Sequence, residues 1–186
     1  MWFLSPSEIT VVVGILQDSS GRVLVAQRPA GKTMAGAWEF PGGKLEKFEQ
    51  RRAGLARELL EEIGIQVESA RALIRYEHEY PGLKVDLDVW RITRWQGEIQ
   101  PREGQVLQWC RVADLSDIGL LSADRPIVSA LKLPDMIQVT PQDMTSDTKL
   151  FDGLEGAISR GGLICVRQPG FDPRSLLLFA GQVACR

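Results

Sequence analysis

The sequence holds one histidine, three cysteines and two tyrosines in 186 residues. A single imidazole, His78, cannot build a two-histidine metal site or an HExxH motif. Cys110, Cys165 and Cys185 are odd in number, far apart and without a Cys-x-x-Cys pair, so neither a disulfide framework nor a thiolate zinc site is expected. They read as reduced intracellular thiols. Metal chemistry is thereby left to oxygen ligands. No apolar run reaches the roughly 18–20 residues that cross a bilayer, and the opening MWFLSPSEIT carries neither the basic region nor the apolar core of a leader. The expectation is a cytoplasmic protein with no membrane partner. Charge of one sign is also missing: 24 acids stand against 22 Lys and Arg, a formal net charge of −2. Without a basic excess, direct nucleic-acid binding is not expected. An anionic substrate would have to be handled locally.

What remains has the composition of a soluble globular protein, 44% apolar and 25% charged. Its length is generous for one domain and short for two. Ile9–Leu16 and Val23–Gln27 read as strands around the turn signal DSSGR. Residues 30–44 are loop-like, with four glycines and Pro41 around Met34, Trp38 and Phe40. A helical pattern covers about Glu49–Ile63 and stops at Gly64, where a left-handed cap is expected. Strands are predicted at Ala72–Tyr80, Val85–Trp95 and Val106–Val112, and a short helix at Arg125–Leu133 before Pro134. The order β-β-α-β-β-β-α predicts a mixed α/β sandwich. All five tryptophans and both tyrosines precede Pro134, which marks a boundary between residues 1–133 and an extension at 134–186. The extension reads β-α-β-α: Met136–Thr140, about Leu150–Ser159, Leu163–Arg167 and a Leu-rich end, a pattern of parallel βα units.

The chemistry concentrates in Gly43–Ile65, GKLEKFEQRRAGLARELLEEIGI. On a helix, Glu58, Glu61 and Glu62 fall within an arc of roughly 100° on one side. Ala56, Leu59, Leu60 and Ile63 fall opposite and predict the buried stripe. Like charges at i,i+3 and i,i+4 oppose one another, and no base lies between positions 58 and 62. Clustered oxygen donors of this kind suit Mg²⁺ or Mn²⁺. The glycines of Phe40-Pro41-Gly42-Gly43 let backbone approach a ligand.

Gly43, five residues, Glu49, seven residues and then Arg57-Glu58-Leu59-Leu60-Glu61-Glu62-Ile63-Gly64-Ile65 resembles the Nudix box at every position. The wider match, over about residues 9–133, is similar to the MutT branch, the 8-oxo-dGTP diphosphatases; it includes VAQRPAGKTMAGAWEFPGGK, YEHEYP, RWQGEIQPREGQ and ADRPI. The resemblance implies the Nudix fold, an α+β mixed sheet sandwiched between helices. It implies that Glu58, Glu61, Glu62, the Gly42 carbonyl and the outlying Glu103 hold Mg²⁺ or Mn²⁺, with Glu58 also orienting or deprotonating the attacking water. Glu49 and Arg57 are implied to be structural, Arg57 pairing with a carboxylate of the box. Arg28, Thr33, Glu39, Phe40, Pro41, Gly42 and Asp124 match substrate-binding positions.

Asp124 departs from the pattern, in which an asparagine offers a purine both a donor and an acceptor. An ionised aspartate only accepts, which still suits the N7 hydrogen of an oxidised guanine; a protonated one mimics the asparagine. The implied reaction is attack of water on the β-phosphorus of a nucleoside triphosphate, giving a monophosphate and pyrophosphate by a monomer or weak dimer. For 8-oxo-dGTP this prevents mutagenic incorporation into DNA. The alternatives are a Nudix hydrolase of another diphosphate, such as damaged thiamine diphosphate, or a non-catalytic nucleotide sensor. The extension is similar to the first βα units of thiamine phosphate synthase, a TIM barrel. Two of eight units cannot assemble that barrel's active site.

Overall fold

The computed structural model describes residues 7–133 together with the backbone of residues 137–139 and 163–165. Two compact units divide the chain, Met1–Lys132 and Leu133–Arg186. In the first, β1 (Ser7–Ile15) runs parallel to β6 (Leu83–Gln96) and antiparallel to β4 (Gly42–Lys44), and β5 (Gln66–Tyr80) closes the far edge. The resulting order is β4-β1-β6-β5. A second, antiparallel sheet has the order β3-β2-β7, from β3 (Trp38–Glu39), β2 (Val23–Gln27) and β7 (Val106–Cys110). Two helices accompany the sheets, α1 (Arg51–Ile63) and α2 (Arg125–Lys132).

The two-residue period of β1 feeds two separate cores. Val13 and Ile15 join Val23, Val25, Val85, Leu87 and Val89 under Ile127 and Val128 of α2. Val12 and Leu16 face the other way and pack with Leu24 against Leu55, Leu59 and Ile63 of α1. Each helix thus covers its own core, with the strands between them. Burying a Leu or Ile side chain contributes about 1.5–3 kcal/mol, whereas an exposed ion pair contributes up to about 1 kcal/mol. The apolar stripe of α1 therefore sets how the helix is rotated.

That stripe differs from the sequence expectation. Leu55, Leu59 and Ile63 are buried, while Leu60 is 38% exposed and Ala56 is only half-buried. Seen from the stripe, Glu62, Glu58 and Glu61 are turned away by about 60°, 100° and 160°. Their burial falls in the same order. At the start of α1, Arg51 pairs with the buried Asp86 and Asp88 of β6, and Arg75 of β5 grips Asp86 with two hydrogen bonds. At its end Gly64 has φ 79° and ψ 16°, and its amide reaches back to the Leu59 and Leu60 carbonyls. A left-handed cap stands where the sequence placed it.

Other boundaries moved. The helix starts at Arg51 rather than Glu49, β5 begins at Gln66 rather than Ala72, and the loop at 30–44 contains two short strands. In the second unit, β8 (Ile137–Val139) pairs in parallel with β9 (Leu163–Cys165). These strands lie within the predicted Met136–Thr140 and Leu163–Arg167. The predicted helix at 150–159 and the Leu-rich end lie outside the described residues.

Candidate active site

Residues 38–44 carry one side of the site, and their backbone is pinned almost residue by residue. Trp38 donates to the Gly119 carbonyl and accepts from the Leu121 amide, Phe40 donates to Asp124 Oδ2 at 3.2 Å, and the Pro41 carbonyl accepts from Gly14 at 2.8 Å. Gly42 and Gly43 then pair with Val13 and Val12 of β1. A side chain on either glycine would force a shift, of backbone at Gly42 and of the Glu58 carboxylate at Gly43. A Cβ on Gly42, at φ 148°, would collide with the Val12 carbonyl oxygen, and one on Gly43 would collide with the Glu58 carboxylate. The two glycines are what let α1 lay its acids against the strand.

Helix α1 carries the other side. The Gly42 amide donates to Glu62 Oε2 at 2.9 Å. Burial, opposed by that hydrogen bond and reinforced by the charges of Glu39, Glu103 and Glu58, pushes Glu62 up to about 7. Glu58 is also raised, chiefly by burial and against the pull of Arg57. Arg57 is the compensating base that the sequence pattern lacks between positions 58 and 62. It donates to Glu49 through Nε and Nη2 at 2.9 Å each, to Glu58 at 2.9 Å, to Glu61 at 3.2 Å and to the Lys44 carbonyl at 3.2 Å. Its two bonds hold Glu49 down to about 2. The expected pairing of Arg57 with a carboxylate of its own helix is present.

The site's outer acids have partners of their own. Arg28 pairs with Glu39 and donates through Nε to the Thr33 carbonyl at 2.7 Å, so Thr33 contributes its backbone here. Arg28 also lines a surface hollow with Gln27, Ala35, Gly36 and Val106. Glu103 is ion-paired to Lys32. Asp124, in a short 3₁₀ turn at Ser122–Asp124, is 5% exposed, and burial raises it to about 7 against the bond from Phe40. Two residues to which the sequence reading assigned no role organise this region. Gln105, 7% exposed, donates to the Glu62 carbonyl at 2.8 Å and accepts from the Glu103 amide at 2.8 Å. Arg102 adds its amide to the Glu62 carbonyl and its guanidinium to the Leu60 carbonyl. Their links to Leu60 and Glu62 join residues 40 to 43 positions apart, which no local pattern records.

Among the described residues no three His, Cys, Asp or Glu side chains already form a metal-binding group. Each carboxylate instead rests on its own partner: Glu58 and Glu61 on Arg57, Glu62 on the Gly42 amide, Glu103 on Lys32. The donor set is nevertheless all oxygen, its most buried member lacks a cationic partner among the hydrogen bonds it makes, and Gly43 leaves room for Glu58 where a Cβ would fill it. These residues suit a hard divalent cation such as Mg²⁺.

A family model described as the NUDIX domain matches residues 12–130. The chain belongs to the Nudix family. Among curated Nudix relatives it is similar to the CTP pyrophosphohydrolase of Escherichia coli, 37% identical over 119 residues, 64% of this chain and 88% of the relative. It is also 32% identical over 125 residues to the 8-oxo-dGTP diphosphatase of the same organism, covering 67% and 97% of the two chains. The solution structure of the E. coli ORF135 protein matches with a TM-score of 0.60 at 37% identity, covering 68% of this chain and 89% of that one. The kinship supports a nucleotide-hydrolysing Nudix enzyme of the MutT kind. The likeness of residues 134–186 to a thiamine synthase is not supported by any of these matches.

Proposed function

We propose that this chain is a divalent-metal-dependent nucleoside triphosphate pyrophosphohydrolase that converts 8-oxo-dGTP to 8-oxo-dGMP and pyrophosphate in the cytoplasm. The observation that carries the reading is the placement of Glu58 and Glu62 against Gly42-Gly43, with Asp124 buried behind the Phe40 amide on the same segment. Glu58, Glu61, Glu62, Glu103 and the Gly42 carbonyl would hold Mg²⁺ or Mn²⁺. The bound ion would supply charge neutralisation for the phosphates and a more acidic water.

The chain's own residues do the rest. Glu58, raised by burial yet hydrogen-bonded to Arg57, is placed to orient or take the proton of the attacking water. Arg57 keeps that carboxylate from swinging away. Phe40, Pro41 and Asp124 form the base-recognition wall, with Arg28, Thr33 and Glu39 along the loop beside it. A base bound there meets a carboxyl group that titrates near neutrality. Ionised, Asp124 accepts from the N7 hydrogen of an oxidised guanine. Protonated, it offers one donor and one acceptor.

The same carboxyl group favours a second reading, a cytidine triphosphate substrate, because an acidic side chain accepts well from the cytosine amino group. The CTP-hydrolysing relative makes that comparison worthwhile. Pyrophosphate release with Mg²⁺ should be compared across 8-oxo-dGTP, dGTP, CTP, other triphosphates and thiamine diphosphate. A kcat/KM for 8-oxo-dGTP far above that for dGTP and CTP is expected. Equal values for 8-oxo-dGTP and dGTP would defeat the sanitising role, and a preference for CTP would establish the second reading.

A further inference from the structure

Lys32 is a cation of this region whose ion-pair partner, Glu103, is itself an expected metal ligand. Its Nζ lies 2.5 Å from Glu103 Oε2, joining the loop after β2 to the loop before β7 across 71 residues. Arg28 and Arg57, by contrast, are each held by two or more groups. The Glu103 hydrogen bond chiefly favours the charged form of Lys32, against a desolvation cost, and the fields of Glu62 and Glu39 add to it. The ammonium therefore sits within the field of the acidic centre although the side chain as a whole is 46% exposed.

The two partners are tethered differently. The Glu103 backbone is fastened through Gln105 to the C-terminal end of α1. Lys32 follows Gly31, at φ 95°, in an exposed loop where a Cβ on Gly31 would meet nothing within 4 Å. An exposed ion pair of this kind is weak and readily exchanged, and a divalent cation is the stronger competitor for a carboxylate. Were Glu103 to take up a divalent cation, the Lys32 ammonium would be left without that partner beside the proposed polyanion site.

We propose that Lys32 is a phosphate-recognition residue, its ammonium neutralising Glu103 until a divalent cation takes that carboxylate and then pairing with the outer phosphates of the substrate. The proposal rests on the reading of Glu103 as a metal ligand and of a triphosphate as substrate. No proton or covalent bond changes hands; one ion pair is exchanged for another.

The test uses the full chain with Lys32→Met, Lys32→Arg, Glu103→Gln and the double variant. In calorimetric titration of the nucleotide-free protein, Lys32→Met is expected to bind Mn²⁺ about three- to fivefold more tightly than wild type. In the Glu103→Gln background the same change is expected to have a clearly smaller effect, since only the fields of Glu62 and Glu39 then remain. In steady-state assays with the best triphosphate, Lys32→Met is expected to raise KM about tenfold or more with kcat within about threefold, and Lys32→Arg to restore most of the loss. Unchanged Mn²⁺ affinity, or an unchanged KM in an active Lys32→Met variant, overturns the proposal. Failure of the underlying substrate reading is distinct, because wild type itself would then turn over no triphosphate.

Discussion

The two ends of one short helix treat the same carboxylate in opposite ways. Glu49, just before α1, sits in the fork of Arg57 and is held down to about 2. Glu62, near the other end, has a backbone amide as its partner and is pushed up to about 7 by burial among other acids. The Arg57 fork is directed at Glu49, with single bonds left for Glu58 and Glu61. The contrast separates anchoring from the proposed chemistry: the satisfied acid fixes the loop to the helix, and the frustrated one is the acid assigned to metal binding in the proposed function.

The largest effect is expected from removing the frustrated side. Glu62→Gln and Glu58→Gln should each lower kcat by about a thousandfold or more while circular dichroism and melting show an intact fold. Near-normal kcat in either would remove the metal assignment. Gly43→Ala should come next, because its methyl group must displace the Glu58 carboxylate. A fall in kcat of about a hundredfold with lower stability is expected. On the anchoring side, Arg57→Met should lower both melting temperature and activity, and Glu49→Gln should lower the melting temperature by less, with kcat better preserved. If Glu49→Gln instead matched Glu62→Gln in kcat, the division of labour would be wrong.

The pH dependence distinguishes the two ends without mutation. For Glu62 the folded pKa lies above the unfolded value near 4.5, so the native state binds the extra proton between about 4.5 and 7. Its contribution to stability therefore declines as pH rises through that window. Asp124, raised from 3.8 to about 7, acts in the same direction. Glu49 acts oppositely, stabilising above about 4.5 and losing that contribution as pH falls toward 2. Metal-free protein should melt at a lower temperature at pH 8 than at pH 5.5, with Glu62→Gln or saturating Mg²⁺ reducing the difference. The remaining effect concerns the base: Asp124→Asn should raise stability at pH 8 and change relative kcat/KM among 8-oxo-dGTP, dGTP and CTP by about ten- to a hundredfold. A variant with unaltered preference would place base selection elsewhere.

Much of this was legible in the chain because it is local. The strand at Val23–Gln27 has the predicted bounds, Gly64 caps α1, and the spacing from Gly43 through Glu49 to the acids set glycine turn, anchor and carboxylates in order, although Gly42–Lys44 proves to be a strand rather than loop. The stripe was misjudged by a rotation toward one flank, taking in Ala56 and Leu60 and leaving out Leu55, since these residues look alike in sequence and only the angle at which α1 meets β1 and β2 decides among them. Arg57's reach to Glu61 follows from helical spacing, whereas Glu49 meets it from the turn before α1. Lys32, Arg102 and Gln105 were not legible, because their partners lie 71, 42 and 43 residues away and are brought near by sheet order alone.

The segment between β6 and β7 lacks regular structure across Pro101–Gln105, yet its amides do the work of another half turn of helix. Gln100 and Arg102 donate to Ile63 and Glu62, and the Gln105 side chain doubles the second bond. Hydrogen exchange would therefore find slow amides at Gln100 and Arg102 inside an outwardly exposed loop. Their exchange should keep time with the last turn of α1, so that the loop and the helix end open together as one cooperative unit.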